Sequence, residues 1–274
     1  MNTVYKKCLF SMLTLIGLLS VNGEQTVNAE QRSIAQPMAS TFRIRTQESR
    51  GNSIITGHGT GFAINLSEFG YSKHRYVMTA CHVIREKNGK LAPNLQLEMR
   101  LRTGVRWARC RVVASDVKMD VAVLECETDL PVCARFADQD AQARTRLVMI
   151  GSPAGVPLRA VKGYVTQCKR AEPSVAFVGY IQEGCSGGPV FEANSQRVMG
   201  LCIAGIGNGH SSQMDPHTCL YVSASNMKRF LRTALHSRER GTRRKNYSDG
   251  TERVYYAGRH GDFSPVANTE TLSN

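Results

Sequence analysis

From Phe42 to Ser223 the chain is a succession of short apolar runs separated by polar, glycine-containing turns, and this spacing restricts the folds open to it. Residues 60–64 and 75–79 read as strands broken by a loop at 65–74. Residues 95–101 alternate apolar and polar, the period of a half-buried strand. Residues 111–113 and 121–124 flank a polar turn and predict a hairpin, and the strand at 146–151 stops at Gly151-Ser152-Pro153. Further runs follow at 160–167, 175–181, 188–191, 197–204 and 219–223. So many short strands predict an all-β barrel or sandwich rather than a helical bundle. One helix is expected at the end. Ser225 can cap a segment to Leu235 in which Met227, Phe230, Leu231 and Ala234 form one apolar stripe.

The flanks differ in character. Lys6 and Lys7 precede an apolar run from Cys8 to Val21, too short to span a bilayer comfortably, so residues 1–29 read as a signal peptide with its cleavage region. Residues 30–40 read as a linker, 41–235 as the folded domain and 236–274 as a basic, aperiodic, disordered tail. The formal charge is +13, and Lys228, Arg229, Arg232, Arg238, Arg240, Arg243, Arg244, Lys245, Arg253 and Arg259 crowd the last part. Such a tail suits an anionic polymer or a membrane surface electrostatically, while no groove-reading or base-stacking motif predicts a stable nucleic-acid complex. Export, periplasmic or extracellular, places Cys81, Cys110, Cys126, Cys133, Cys168, Cys185, Cys202 and Cys219 in an oxidising compartment. Disulfides and small buried thiols both remain open for this even set.

The chemistry lies in Gly184-Cys185-Ser186-Gly187-Gly188-Pro189, in Thr79-Ala80-Cys81-His82 and in the run from Asp116 to Leu124. A serine hydroxyl is a weak nucleophile without a base in reach, and the base needs an orienting partner. The order His82, Asp120, Ser186 supplies these parts in the sequence of one known triad arrangement. Ser186 would attack a carbonyl, His82 would carry the proton, and Asp120 would hold the imidazole. The amides of Gly184 and Ser186 are the candidate donors for the resulting oxyanion. Asp116 is read as a turn aspartate. Gly-Cys-Ser-Gly-Gly also fits a nucleophile elbow, but that motif needs a helix where Pro189-Val190-Phe191 predicts a strand. His210, His217 and Cys219 match no metal-ligand spacing and are read as loop residues. The mechanism needs no cofactor.

With Gly59-Thr60-Gly61-Phe62, Ile150-Gly151-Ser152-Pro153 and Ser225-Asn226-Met227 added, residues 57 to 232 resemble the trypsin-like serine proteases, and within them the bacterial high-temperature-requirement group. The resemblance implies two six-stranded antiparallel β-barrels with a cleft between them and a short C-terminal helix. His82 and Asp120 would come from the first barrel and Ser186 from the second. It implies a serine endopeptidase working on proteins or peptides through an acyl-enzyme. It implies a primary pocket lined by Tyr180, Ile181, Ile203, Ala204 and Gly205 with Ser223 near its floor. No acidic residue stands there, so a small or medium apolar side chain is the expected preference.

Three departures qualify the resemblance. Cys185 stands where the digestive enzymes have Asp and the bacterial group usually Asn, so some other contact must hold the oxyanion loop. Cys81 before the histidine is unusual, and the basic tail has no room for the PDZ domain typical of the bacterial group. These departures keep a second reading open: a latent or silent protease-fold binding module whose basic tail docks on polyanions.

Overall fold

The fold is known from a computed structural model, which describes residues 34–239 except 51–52, 72, 87–88, 93, 102–103, 168–173, 180 and 207–217, together with 245–246 and 252–253. The stretch read as a signal peptide, Cys168, Tyr180, His210, His217 and most of the basic tail lie outside the described residues.

Twelve strands make two closed barrels. The first contains β1 (Thr41–Arg50), β2 (Ser53–Ile64), β3 (Tyr76–Thr79), β4 (Asn94–Leu101), β5 (Gly104–Asp116) and β6 (Val121–Cys126), in spatial order β1-β2-β3-β6-β5-β4. The second contains β7 (Arg146–Gly151), β8 (Arg159–Gln167), β9 (Ser174–Val178), β10 (Pro189–Glu192), β11 (Val198–Ile206) and β12 (Thr218–Ser223), in order β10-β11-β12-β9-β8-β7. Every neighbouring pair is antiparallel, and each barrel closes on itself, β1 against β4 and β7 against β10. Closure removes the free sheet edges that would otherwise template association.

The alternation of side chains along each strand explains where the cores sit. Ala122, Leu124 and Cys126 of β6 point into the first barrel with Phe42, Ile44, Val77, Leu95 and Leu97. Val121 and Val123 face the other way. They join a core shared between the barrels that includes Phe62, Met78, Ile150, Phe191, Leu201 and Val222. Both faces of β6 are therefore apolar, which is why its sequence reads as one continuous run. The second barrel is filled by Leu147, Met149, Val165, Val190, Met199, Tyr221 and three cysteines, Cys185, Cys202 and Cys219.

The C-terminal helix α1 spans Ala224–Glu239. Met227, Phe230, Leu231, Ala234 and Leu235 seal the shared core from outside. Each of the larger four contributes about 1.5–3 kcal/mol by burial. The helix continues past the end of its apolar stripe to Glu239. Its first turn is not capped by Ser225 as the sequence suggests. Asp140 accepts both the amide and the hydroxyl hydrogen of Ser225, and a carboxylate also suits the positive end of the helix. The stretch read as a linker is partly structured: residues 34–39 are helical, Ile34 and Met38 pack on the shared core, and the Ser40 and Thr41 hydroxyls donate to the Pro37 carbonyl. Among the described residues no helix is long and apolar enough to cross a membrane.

Candidate active site

Strand β3 ends at Thr79, and a single 3-10 turn, Cys81–Ile84, follows at once. That turn carries His82. It is tied to the β5–β6 connection, because the Cys81 amide donates to the Asp120 carbonyl at 3.2 Å. Asp120 meets it with both side-chain oxygens. Oδ1 accepts the His82 backbone amide at 2.8 Å, and Oδ2 lies 2.6 Å from His82 Nδ1. Asp120 adopts a left-handed backbone, φ 56°, a conformation aspartate tolerates better than most residues. The connection itself is shaped by Asp116, which is buried and accepts the Met119 amide at 3.0 Å. The two aspartates thus have separate jobs, one in the turn and one on the histidine. His82 remains half-exposed and open to a substrate.

The serine lies in the loop before β10, and the hydrogen bonds of this loop can be followed one peptide at a time. The Glu183 carbonyl accepts the Ala154 amide at 2.6 Å, and the Gly184 carbonyl accepts the Thr60 hydroxyl at 2.7 Å. The Cys185 carbonyl accepts the Gly188 amide at 2.9 Å, and the Ser186 carbonyl accepts the Thr60 amide at 2.9 Å. On the donor side, Cys185 gives its hydrogen to Gln182 and Gly187 to Cys202. Among the described residues, the amides of Gly184 and Ser186 donate to no carbonyl. In a trans peptide the N–H points opposite to the C=O. With the Glu183 and Cys185 carbonyls held inward, the Gly184 and Ser186 hydrogens are turned outward from their anchors.

Two glycines are required here. Gly184 has φ 89°, and a Cβ on it would stand 2.3 Å from the Ser152 carbonyl oxygen. Gly187 has φ 82°, and its Cβ would stand 2.1 Å from the Thr60 carbonyl oxygen and 2.2 Å from Thr79 Oγ1. The backbone beside Ser186 is therefore pressed against the end of β3, three residues ahead of His82. The structure brings these segments of the two barrels into direct contact.

Cys185 is buried inside the second barrel, and burial pushes its thiol above the usual range. The Cys81 thiol is raised by burial too, against the opposing pull of Arg85, whose Nε donates to the sulfur at 3.2 Å. Of the expected pocket residues, Ile181 and Ile203 are half-buried, and Ala204 and Gly205 pair with Leu220 and Cys219 across the β11–β12 ladder. Ser223 stands further along the same pair of strands. It pairs with Gly200 at the far end of the same ladder, and its hydroxyl lies 3.1 Å from that of Ser225. A register shift between Cys202 and Ala204 separates the two ends. The position opposite Gly205 belongs to Cys219, the first residue of the run read at 219–223. Thr60 was also missed as a contributor; its only sequence signal is its place in Gly59-Thr60-Gly61-Phe62. Among the described residues no group of three His, Cys, Asp or Glu side chains could hold a metal ion.

Comparison with known proteins places the chain. Proteins named probable periplasmic serine endoprotease DegP-like are similar to it. The one from Pseudomonas fluorescens is 32% identical over 143 residues, 48% of this chain and 26% of the relative. The one from Halomonas elongata is 29% identical over 150 residues, 52% of this chain and 28% of the relative. The chain thus spans little more than a quarter of the length of these curated relatives. Among solved structures, a serine endoprotease from Yersinia pestis superposes with a TM-score of 0.60 at 18% identity, covering 76% of this chain and 66% of that one. The active form of the Rv3671c protease from M. tuberculosis gives 0.57 at 22% identity, covering 73% and 82%. Both share the fold. Residues 59–201 match the trypsin-like peptidase domain family, and the chain belongs to that family.

Proposed function

We propose that the protein is an exported serine endopeptidase that hydrolyses peptide bonds through Ser186, His82 and Asp120. The observation that carries this reading is the double hold of one carboxylate on one histidine: Asp120 takes both Nδ1 and the backbone amide of His82. That arrangement fixes the imidazole with Nδ1 toward the acid and leaves Nε2 to face a nucleophile. Family membership and the printed names of the relatives support the reaction class and a periplasmic location.

In the proposed cycle Ser186 Oγ adds to the scissile carbonyl while His82 takes the hydroxyl proton. The amides of Gly184 and Ser186 donate to the oxyanion. His82 then protonates the leaving amine, and an acyl-enzyme forms on Ser186. Water enters with His82 as base and releases the acid. The anchoring of the Glu183, Gly184, Cys185 and Ser186 carbonyls supports a formed oxyanion loop over a collapsed one. The half-buried Ile181 and Ile203, with uncharged Cys219 opposite Gly205, support a preference for small or medium apolar side chains.

The test is labelling of the purified protein with a fluorophosphonate probe, with Ser186→Ala as control. Labelling that vanishes in the variant supports the reading. A folded protein that does not label rejects it in favour of a silent binding module.

A further inference from the structure

Thr60 stands in β2 of the first barrel, fully buried, yet each of its polar groups is engaged at the nucleophile loop or the strand beside it. Its amide donates to the Ser186 carbonyl at 2.9 Å. Its hydroxyl donates to the Gly184 carbonyl at 2.7 Å and accepts the Ser152 amide at 3.0 Å. Its carbonyl accepts the Thr79 hydroxyl at 2.7 Å. One residue of the first barrel thus holds the carbonyls of the same two residues, Gly184 and Ser186, whose amides donate to no carbonyl among the described residues.

We propose that Thr60 is a positioning residue for the oxyanion loop: its hydroxyl and amide fix the peptides flanking the two donors and so aim them, in place of the acidic or amide side chain that Cys185 does not provide. This rests on the proposed endopeptidase function. The physical argument is directional. A peptide plane with a free carbonyl can rotate about its flanking dihedrals, and rotation turns the neighbouring N–H away from the oxyanion position. Gly184 has no side chain to resist that rotation. The Thr60 hydroxyl is itself fixed, because the Ser152 amide occupies its acceptor side and leaves its hydrogen for Gly184. Cys185 points into the second barrel and makes no such hold from its side chain. The contact also crosses from one barrel to the other, so the donors are set relative to the barrel that carries His82 and Asp120.

The experiment compares wild type, Thr60→Val and Thr60→Ser. Valine keeps the shape and removes the hydroxyl; serine restores it. Saturation kinetics of fluorophosphonate labelling separate the limiting rate from the half-saturating concentration. The expected result is a limiting rate about tenfold or more below wild type in Thr60→Val. Half-saturation should move by less than about twofold, and Thr60→Ser should recover the rate. Amide exchange should rise in Thr60→Val over residues 182–188 while the rest of the barrels stays protected. Equal limiting rates and equal exchange in wild type and Thr60→Val would overturn the proposal. If Thr60→Val does not fold, Thr60→Cys, with its weaker donor, is read by the same outcomes. If wild type itself does not label, the endopeptidase reading fails, and the exchange comparison alone still decides whether Thr60 holds the loop.

Discussion

Asp120 grips His82 at two points, Oδ2 at 2.6 Å from the ring Nδ1 and Oδ1 at 2.8 Å from the backbone amide. The second contact matters as much as the first. It ties the carboxylate to the 3-10 turn as well as to the ring, so the acid cannot rotate away from the imidazole without breaking a backbone bond. The left-handed φ of Asp120 is what swings the side chain back onto that turn.

Asp120→Asn tests the pairing. An amide in this place keeps the volume and tolerates the left-handed backbone, but it offers one hydrogen-bond acceptor where the carboxylate offers two. The expected loss in kcat is about 10⁴-fold, the size seen when a triad histidine is left in the wrong tautomer. Turnover of a fluorescent casein, with unfolding monitored in parallel, measures it. Activity within about tenfold of wild type would mean that Asp120 does not serve His82.

Gly187→Ala should destabilise the whole molecule. The added Cβ would meet the Thr60 carbonyl oxygen at 2.1 Å, and the backbone there has φ 82°. Neither neighbour can move cheaply, since both belong to β-strand backbone or a buried hydroxyl. A loss of about 3 kcal/mol or more is expected, read from the shift of a urea unfolding curve. An unshifted curve would show that the two barrels are not held this closely.

Glu98 is buried in an ion pair with Arg43, and the Arg43 guanidinium also donates to the Gly155 carbonyl. Gly155 belongs to the turn that packs against Gly184. Glu98→Gln strips the partly buried Arg43 of its counter-charge, and about 3 kcal/mol of stability should be lost. Arg43→Met with Glu98→Leu should lose less, because no charge is then stranded. Denaturation of the three proteins checks the order, and a double variant less stable than Glu98→Gln would contradict it.

Two sulfur pairs are poised for oxidation. Cys110 and Cys126 face each other across β5 and β6 with sulfurs 2.8 Å apart, and those of Cys202 and Cys219 lie 3.3 Å apart inside the second barrel. The hydrogen bond shared with Cys126, which favours the protonated thiol, and burial hold Cys110 well above its usual range, and burial with the Cys202 neighbour does the same for Cys219. Exchange with oxidised glutathione requires a thiolate. Both pairs should therefore react slowly at neutral pH and faster as pH rises toward and past 9. Each bond formed removes two hydrogens and reduces one glutathione disulfide to two glutathiones. Peptide mapping after exposure at two pH values should recover 110–126 and 202–219 cross-links. Other pairings, or a rate indifferent to pH, would count against this geometry.

Much of the fold is visible in the sequence because barrel strands advertise themselves locally. The strand read at residues 95–101 begins with an alternation because Leu95 and Leu97 enter the first core while Gln96 and Glu98 lie on the other face. The run at 121–124 is unbroken because its faces meet two different cores. The site is legible where its parts share a short segment, as in Gly184 to Pro189. What escaped the sequence depends on distant pairing. Thr60 meets Gly184 across 124 positions, and Asp140 caps Ser225 across 85. Neither relation leaves a local pattern. The place of Ser223 relative to Ala204 and Gly205 is equally hidden from the sequence, since the register shift in β11 lies between them.

The bonds from Thr60 to Gly184 and Ser186 join a strand near the start of the domain to a loop near its end, and Gly187 adds a bond to Cys202 further on still. A chain emerging amino end first delivers the histidine and the aspartate early. Yet the last anchor of the serine loop, the Cys202 carbonyl that accepts the Gly187 amide, arrives only with β11. Under the proposed function, competence is thus a late event in the life of each molecule. During the interval when unfinished copies lie exposed beside one another, none of them carries a finished blade.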